Sequence, residues 1–169
     1  MKRIWAPWRY SYIKRLSKGS CIFCQKGKSS SDSKNYILKR SRYSFIILNI
    51  FPYNNGHLMV APNRHVKSTS SLNPQERLDL FNMIDEACRL LDKTMRPMGY
   101  NIGINMGRAA GAGYAGHLHV HIVPRWNGDT NFMPVIAQTK VLPESLNSVY
   151  KRLKKCLLEK NSKSNKKNI

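Results

Sequence analysis

His117-Leu118-His119-Val120-His121-Ile122-Val123-Pro124 decides how this chain is read. Three histidines alternate with apolar residues. On an extended strand, side chains two apart share a face, spaced roughly 6–7 Å along it. His117, His119 and His121 therefore fall on one face, and Leu118, Val120 and Ile122 on the other. The chain has 5 histidines. The other two, His57 and His65, sit in or beside another strand-like run, His57–Ala61. Imidazoles gathered in this way predict a strand over His117–Pro124 with one chemically active face.

Three chemistries fit such a strand. The histidines can be structural, although three in five positions is improbable from composition. They can ligate one metal ion together, although i, i+2, i+4 on one strand is an awkward arrangement for three ligands. They can also act as nucleophile and phosphate contacts, since neutral imidazole is a nucleophile at physiological pH. The preceding segment favours the third. Gly107–Gly116 holds 4 glycines in 10 residues and must be a loop. Small residues let backbone N–H groups approach phosphate oxygens closely.

Working outward, Tyr36–Lys39 and Tyr43–Leu48 read as strands joined by a short basic turn. Pro52-Tyr53-Asn54-Asn55-Gly56 is a turn leading into a third strand, His57–Ala61, which Pro62 ends. Tyr100–Asn105 is a fourth strand. Asn73-Pro74 opens a helix, with Asn73 as N-cap and Glu76 three residues on. Leu78, Phe81, Ile84, Cys88 and Leu91 give it an apolar face, and it ends before Pro97. A final helix starts at Val141–Glu144. Lys26–Asn35 is polar and reads as a loop. The organisation expected is a basic aromatic arm over residues 1–20, one domain over 21–146, and a C-terminal helix and basic tail over 147–169. Five strands with hairpin links and one long central helix predict an α+β fold with an antiparallel sheet.

The chain has 169 residues and a formal net charge of +20. The charge sits at the ends: residues 1–43 carry 12 basic and 1 acidic side chains, and residues 151–169 carry 8 and 1. Residues 44–150 carry 9 and 7. Such flanks attract polyanions, whether nucleic acid, acidic membrane or phosphorylated metabolites. Solvated lysines are the plainer account, because the flanks lack the interleaved aromatics of a nucleic-acid platform. No apolar run approaches the roughly 18–20 residues that span a bilayer. The basic start lacks the apolar core of a secretory signal. Four cysteines without an export signal point to a reducing, cytoplasmic setting rather than a disulfide framework.

His117-Leu118-His119-Val120-His121-Ile122-Val123 resembles the His-x-His-x-His-x-x motif of the histidine triad (HIT) superfamily of nucleotide hydrolases and transferases. Phe45–Pro62 resembles that family's nucleotide-binding strand pair. Trp5–Arg9, Asn105–Gly116 and Pro124–Val135 resemble a bacterial subgroup of diadenosine tetraphosphate phosphorylases. The resemblance covers roughly residues 5–146 and implies a covalent nucleotidyl-histidine mechanism on adenosine polyphosphates. His119 would be the nucleophile, with a main-chain carbonyl near His117 holding its other nitrogen. His121 would contact the phosphate and help the leaving oxygen, and His57 would approach the phosphates. Asn49 would bind the ribose. Asn105 and the loop glycines Gly111 and Gly113 would contact phosphate. Trp126 fits a base-stacking role or rim packing equally.

Cys21-Ile22-Phe23-Cys24 is a C-x2-C pair, and a structural zinc needs two further ligands. Cys88 and Cys156 read as packing residues. The resemblance implies zinc on Cys21, Cys24, His65 and His117, with four protein ligands and so no open position for catalysis. A metal-free thiol pair is the alternative. The acceptor stays open between water and orthophosphate, with Trp126, Asp129, Thr130 and Asn131 on its side. A phosphoramidate hydrolase of the same family, or a nucleotide-sensing RNA-binding protein without turnover, are the other readings. The resemblance also implies a homodimer joining two sheets into ten strands, through the helix and Tyr100–Asn105.

Overall fold

Phe45–Leu48 and Leu58–Ala61 are unbroken apolar runs, the pattern of strands covered on both faces. In the computed structural model, which describes residues 21–130, 136 and 141–165 (side chains of the last helix to Glu159), both runs are buried throughout. The predicted arm over residues 1–20, Asn131 and the end of the basic tail lie outside the described residues. The strands are β1 (Ile37–Arg40), β2 (Ser44–Leu48), β3 (Leu58–Pro62), β4 (Gly99–Ile104) and β5 (Val120–Arg125). They form one antiparallel sheet in the order β1-β2-β3-β5-β4.

The helices are α1 (Ile22–Lys28), α2 (Asp32–Asn35), α3 (Pro74–Met95) and α4 (Leu146–Asn165). Strand alternation divides the core in two. Ile46, Leu48, Leu58, Val60, Leu118, Val120 and Ile122 pack beneath α3 and α4. Phe45, Ile47, Met59 and Ala61 face the other way, against Phe23 of α1. Met59 pairs with His121 in the β3–β5 ladder. The histidines therefore share the α1 face of the sheet. Val149, Tyr150 and Leu153 of α4 are buried in the main core, so this helix belongs to the same folding unit as the sheet.

The start of α3 follows from its sequence. Asn73 Oδ1 accepts from the Glu76 N–H at 2.8 Å, and Glu76 Oε2 accepts from the Asn73 N–H at 2.9 Å. This is a complete capping box with Pro74 at the first position. The helix stops at Arg96, whose φ is +48°, one residue before Pro97. Its buried stripe is Leu80, Met83, Ile84, Ala87, Leu90 and Leu91. The expected stripe is displaced: Leu78 and Phe81 are 65% and 68% exposed. Neighbouring stripes on a helix share positions such as Ile84 and Leu91, and only the packed sheet chooses between them.

Two further expectations are corrected. Lys26–Asn35 is not a plain loop, for it holds the end of α1 and all of α2. Arg40 of β1 reaches across to the carbonyls of Lys26, Gly27 and Ser29 and to Asp32. One guanidinium thus satisfies the open carbonyl end of α1, which local polarity did not reveal. β5 starts at Val120, so His117 and His119 precede it in an extended segment. That segment is held by the Leu118 N–H on the Val66 carbonyl at 2.6 Å. The period-two alternation survives, because extended backbone suffices for it.

Candidate active site

The turn before β3 is built to seat His57. Gly56 has φ +76°, the left-handed region that favours glycine, and a Cβ there would press on the flexible end of Met95. His57 follows and is 0% exposed. Its Nδ1 accepts from the Tyr53 backbone N–H at 3.0 Å, with the Asn49 amide nitrogen at 3.3 Å. A backbone N–H only donates, so the His57 proton must reside on Nε2. That Nε2 lies 2.9 Å from His121 Nδ1. His121 Nδ1 therefore accepts, and a neutral His121 carries its proton on Nε2. Burial, then the charges of His121 and His119, push the His57 pKa down to about 3. Burial, then His119, pushes His121 down to about 4. Both rings are neutral at physiological pH.

His119 is oriented by the main chain. Its Nδ1–H donates to the His117 carbonyl at 2.8 Å. Burial lowers its pKa, while that carbonyl acts in the opposite sense. The ring is neutral, with the lone pair on Nε2. Phe23 stacks on it, centroids 4.8 Å and planes 27° apart. His119 and His121 meet edge to face at 4.9 Å. The pair presents a bare imidazole nitrogen beside an N–H donor, the equipment for attack on an electrophile whose leaving oxygen needs a hydrogen bond.

His117 turns the other way. Its Nε2–H donates to the Pro62 carbonyl at 2.8 Å, which leaves Nδ1 as the ligating atom. Nδ1 is 3.3 Å from Cys21 Sγ and 3.5 Å from Cys24 Sγ. His65 Nδ1 is 3.3 Å from Cys24 Sγ. All four ligand atoms lie within 4.8 Å of one another. Tetrahedral zinc, with its usual bond lengths, separates sulfur and nitrogen ligands by roughly 3.4–3.8 Å. The donor set and spacing fit such an ion. Burial pushes the His117 pKa down to about 4, favouring the neutral, ligating form. Burial and the neighbouring Cys21 raise the Cys24 thiol.

The remaining predicted residues divide. Asn105 is half-buried, one step past the Ile104–Val120 pair, which brings it alongside His119. Gly111 and Gly113 are exposed in the loop, Gly111 with φ +84°. His57, expected beside the phosphates, is fully buried and both its ring nitrogens have protein partners, so it meets the site through His121. Asn49 is 8% exposed, and its amide holds the Phe51 N–H as well as His57. A ribose contact there would compete with those bonds. Trp126 is not beside the histidines within the chain. It lies five residues beyond His121, roughly 16 Å along an extended strand, and its indole N–H donates to the Arg96 carbonyl at 3.2 Å. Asp129 accepts from Arg125 and Asn54 at that end of the sheet. Phe23, Tyr53 and the Pro62 carbonyl were not anticipated. Tyr53 stacks on His121 at 5.6 Å. Only the position of Phe23 between two cysteines hinted at its place.

Residues 30–128 match the HIT domain family. The chain is similar to an AP-4-A phosphorylase of Mycobacterium tuberculosis, 38% identical over 86% of this chain and 79% of that protein. It is also similar to a bis(5'-nucleosyl)-tetraphosphatase (asymmetrical) of Schizosaccharomyces pombe, 34% identical over 55% of this chain and 50% of that protein. Among solved structures, a Zn-bound histidine triad family protein from Mycobacterium smegmatis superposes with a TM-score of 0.67. That pair is 26% identical, over 85% of this chain and 96% of the other. With three ordered imidazoles in the motif and the five-stranded sheet behind them, the chain belongs to the histidine triad (HIT) domain family of nucleotide hydrolases and nucleotidyltransferases.

Proposed function

We propose that the protein cleaves adenosine polyphosphates, diadenosine tetraphosphate foremost, through a nucleotidyl-histidine on His119. The observation that carries this is the 2.8 Å bond from His119 Nδ1–H to the His117 carbonyl, which leaves Nε2 as the attacking atom. Nε2 attacks the α-phosphorus, and the bond to the bridging oxygen breaks. The electron pair leaves on that oxygen, which departs as a polyphosphate anion and needs hydrogen bonding rather than full protonation. His121 Nε2–H supplies it, held in that tautomer by His57. Asn105, Gly111 and Gly113 would contact the phosphates from the loop that leads into the histidines. An acceptor oxygen then displaces Nε2 from phosphorus. Orthophosphate yields ADP and water yields AMP, and the likeness to a phosphorylase favours orthophosphate.

Zinc on Cys21, Cys24, His65 and His117 would brace the segment carrying His119 and supply no electrophile, since four protein ligands close its coordination. Two copies would join along β4, the edge strand of the sheet among the described residues. Ile102 on that strand is 48% exposed, and Leu78 and Phe81 of α3 are exposed as well. A reducing compartment, the cytoplasm, suits four free thiols. No helix among the described residues is long and apolar enough to cross a membrane. The basic flanks suit attraction of a polyanionic substrate more than a dedicated nucleic-acid interface.

Incubation of the purified protein with diadenosine tetraphosphate, with and without phosphate, tests the reading. ADP and ATP formed only with phosphate establish phosphorolysis. AMP and ATP in plain buffer establish hydrolysis. No turnover of this substrate or of a nucleoside phosphoramidate sinks the enzymatic reading and leaves a nucleotide sensor.

A further inference from the structure

Phe23 stands between the two cysteines of the C-x2-C turn and is 3% exposed. Its ring lies nearly face-on to His119, and 5.2 Å from the ring of His117. Ile37, Phe45, Ile47, Met59 and Ala61 belong to the same apolar cluster. The turn that presents two thiols therefore also presents an aromatic face to the imidazole beside them.

That face matters most after Nε2 has reacted. A phosphorus–nitrogen bond forms at Nε2, the phosphorus–oxygen bond to the leaving polyphosphate breaks, and its electron pair departs with the oxygen. The Nδ1 proton stays where it is, on the His117 carbonyl. With both nitrogens substituted, the ring carries a positive charge. A cation in an apolar, water-poor pocket is costly unless something compensates it. The carbonyl does so at the ring edge, since hydrogen bonds from a charged donor are stronger. Phe23 covers the ring face at a separation well inside the roughly 6 Å over which an aromatic quadrupole attracts a cation. A neutral imidazole gains little from either effect. The stabilisation thus grows along the reaction coordinate, the condition for raising a rate rather than only tightening binding.

We propose that Phe23 is a positioning residue whose π face stabilises the positively charged, nucleotidylated ring of His119. The proposal rests on the covalent reading above. It is tested in the full-length, metal-loaded chain by replacing Phe23 with phenylalanines bearing one, two and three ring fluorines. These withdraw charge from the π face at nearly constant shape. The probe is diadenosine tetraphosphate, with samples quenched at alkaline pH, where the nitrogen–phosphorus bond survives, and the AMP adduct measured by intact mass. The rate of adduct formation should fall stepwise, about tenfold across the series. KM, Tm and metal content should stay unchanged, which a packing role alone would not produce. A flat rate across the series in a chain that forms the adduct overturns the proposal and leaves the covalent reading intact. A native chain that forms no adduct overturns that reading, and this proposal with it.

Discussion

His57 Nε2 lies 2.9 Å from His121 Nδ1, and the Tyr53 N–H on the opposite His57 nitrogen fixes which of the two rings donates between them. A buried histidine thereby dictates the tautomer of a half-exposed one. His57→Ala should lower kcat by about 10²-fold, the scale of a misplaced reacting group, with KM little changed. His57→Asn, whose amide can donate to His121, should recover part of the loss. Equal defects in both variants, with a matching rise in KM, would show His57 to be a ligand contact instead.

His119→Ala should abolish the covalent adduct and lower turnover by about 10⁴-fold or more, as removal of a nucleophile does. Nucleotide affinity should stay within a few fold. Alkaline-quenched intact-mass spectra and equilibrium binding on the same samples check both halves. An adduct that persists in the variant would place the nucleophile elsewhere.

Removal of metal should be felt in stability first. Zinc present at a hundred times its dissociation constant stabilises a fold by about 2.7 kcal/mol. In a chain of this size that is a Tm difference of roughly 5–11 °C. Cys24→Ser, or chelation of the native chain, should produce a fall of that order in calorimetry. Adduct formation should persist below the lowered Tm. Loss of the adduct with an unchanged Tm would contradict a bracing role.

The Arg64–Glu76 pair predicts a pH signature. Hydrogen bonding from Arg64 holds the Glu76 carboxyl below its usual range, with the capping-box bond to Asn73 adding to it. A depressed carboxyl stabilises the fold above its unfolded pKa of about 4.3. That contribution is lost as pH falls through the folded value. Urea midpoints of the metal-free chain between pH 6 and pH 3 (roughly the span around that carboxyl range) should drop less steeply in Glu76→Gln. The glutamine amide of that variant keeps the capping box without the charge. Parallel curves would remove Glu76 from the acid response.

Phe81→Glu should weaken self-association, read as a shift toward monomer in sedimentation velocity. Phe81 is 68% exposed on α3, and a charge there is tolerated by the folded monomer. An unchanged sedimentation coefficient would exclude this face as the contact.

Much of this architecture was legible where short-range rules operate. Alternation in His117–Ile122 separated imidazoles from core, and Asn73-Pro74 with Glu76 marked the start of α3. Failures came where the deciding partner is distant in sequence. Leu78 and Phe81 fit an apolar stripe until the sheet selects the one through Leu80 and Ala87. Lys26–Asn35 reads as loop until Arg40 ties it down. The tautomer of His57 was hidden for a different reason: its partner Tyr53 is near in sequence, but motif position says nothing of a backbone N–H donor. Phe23 carried no chemistry of its own, and only its stacking on His119 gives it one.

The acceptor that orients His119 is a peptide oxygen, not a side chain. All amino acids possess that atom, so no replacement at position 117 deletes it. Substitution at Cys21, Cys24, His65 or His117 would therefore remove the proposed metal and still leave the His119 tautomer set. The proposed metal and the proposed nucleophile would meet at one residue, the first through its side chain and the second through its backbone.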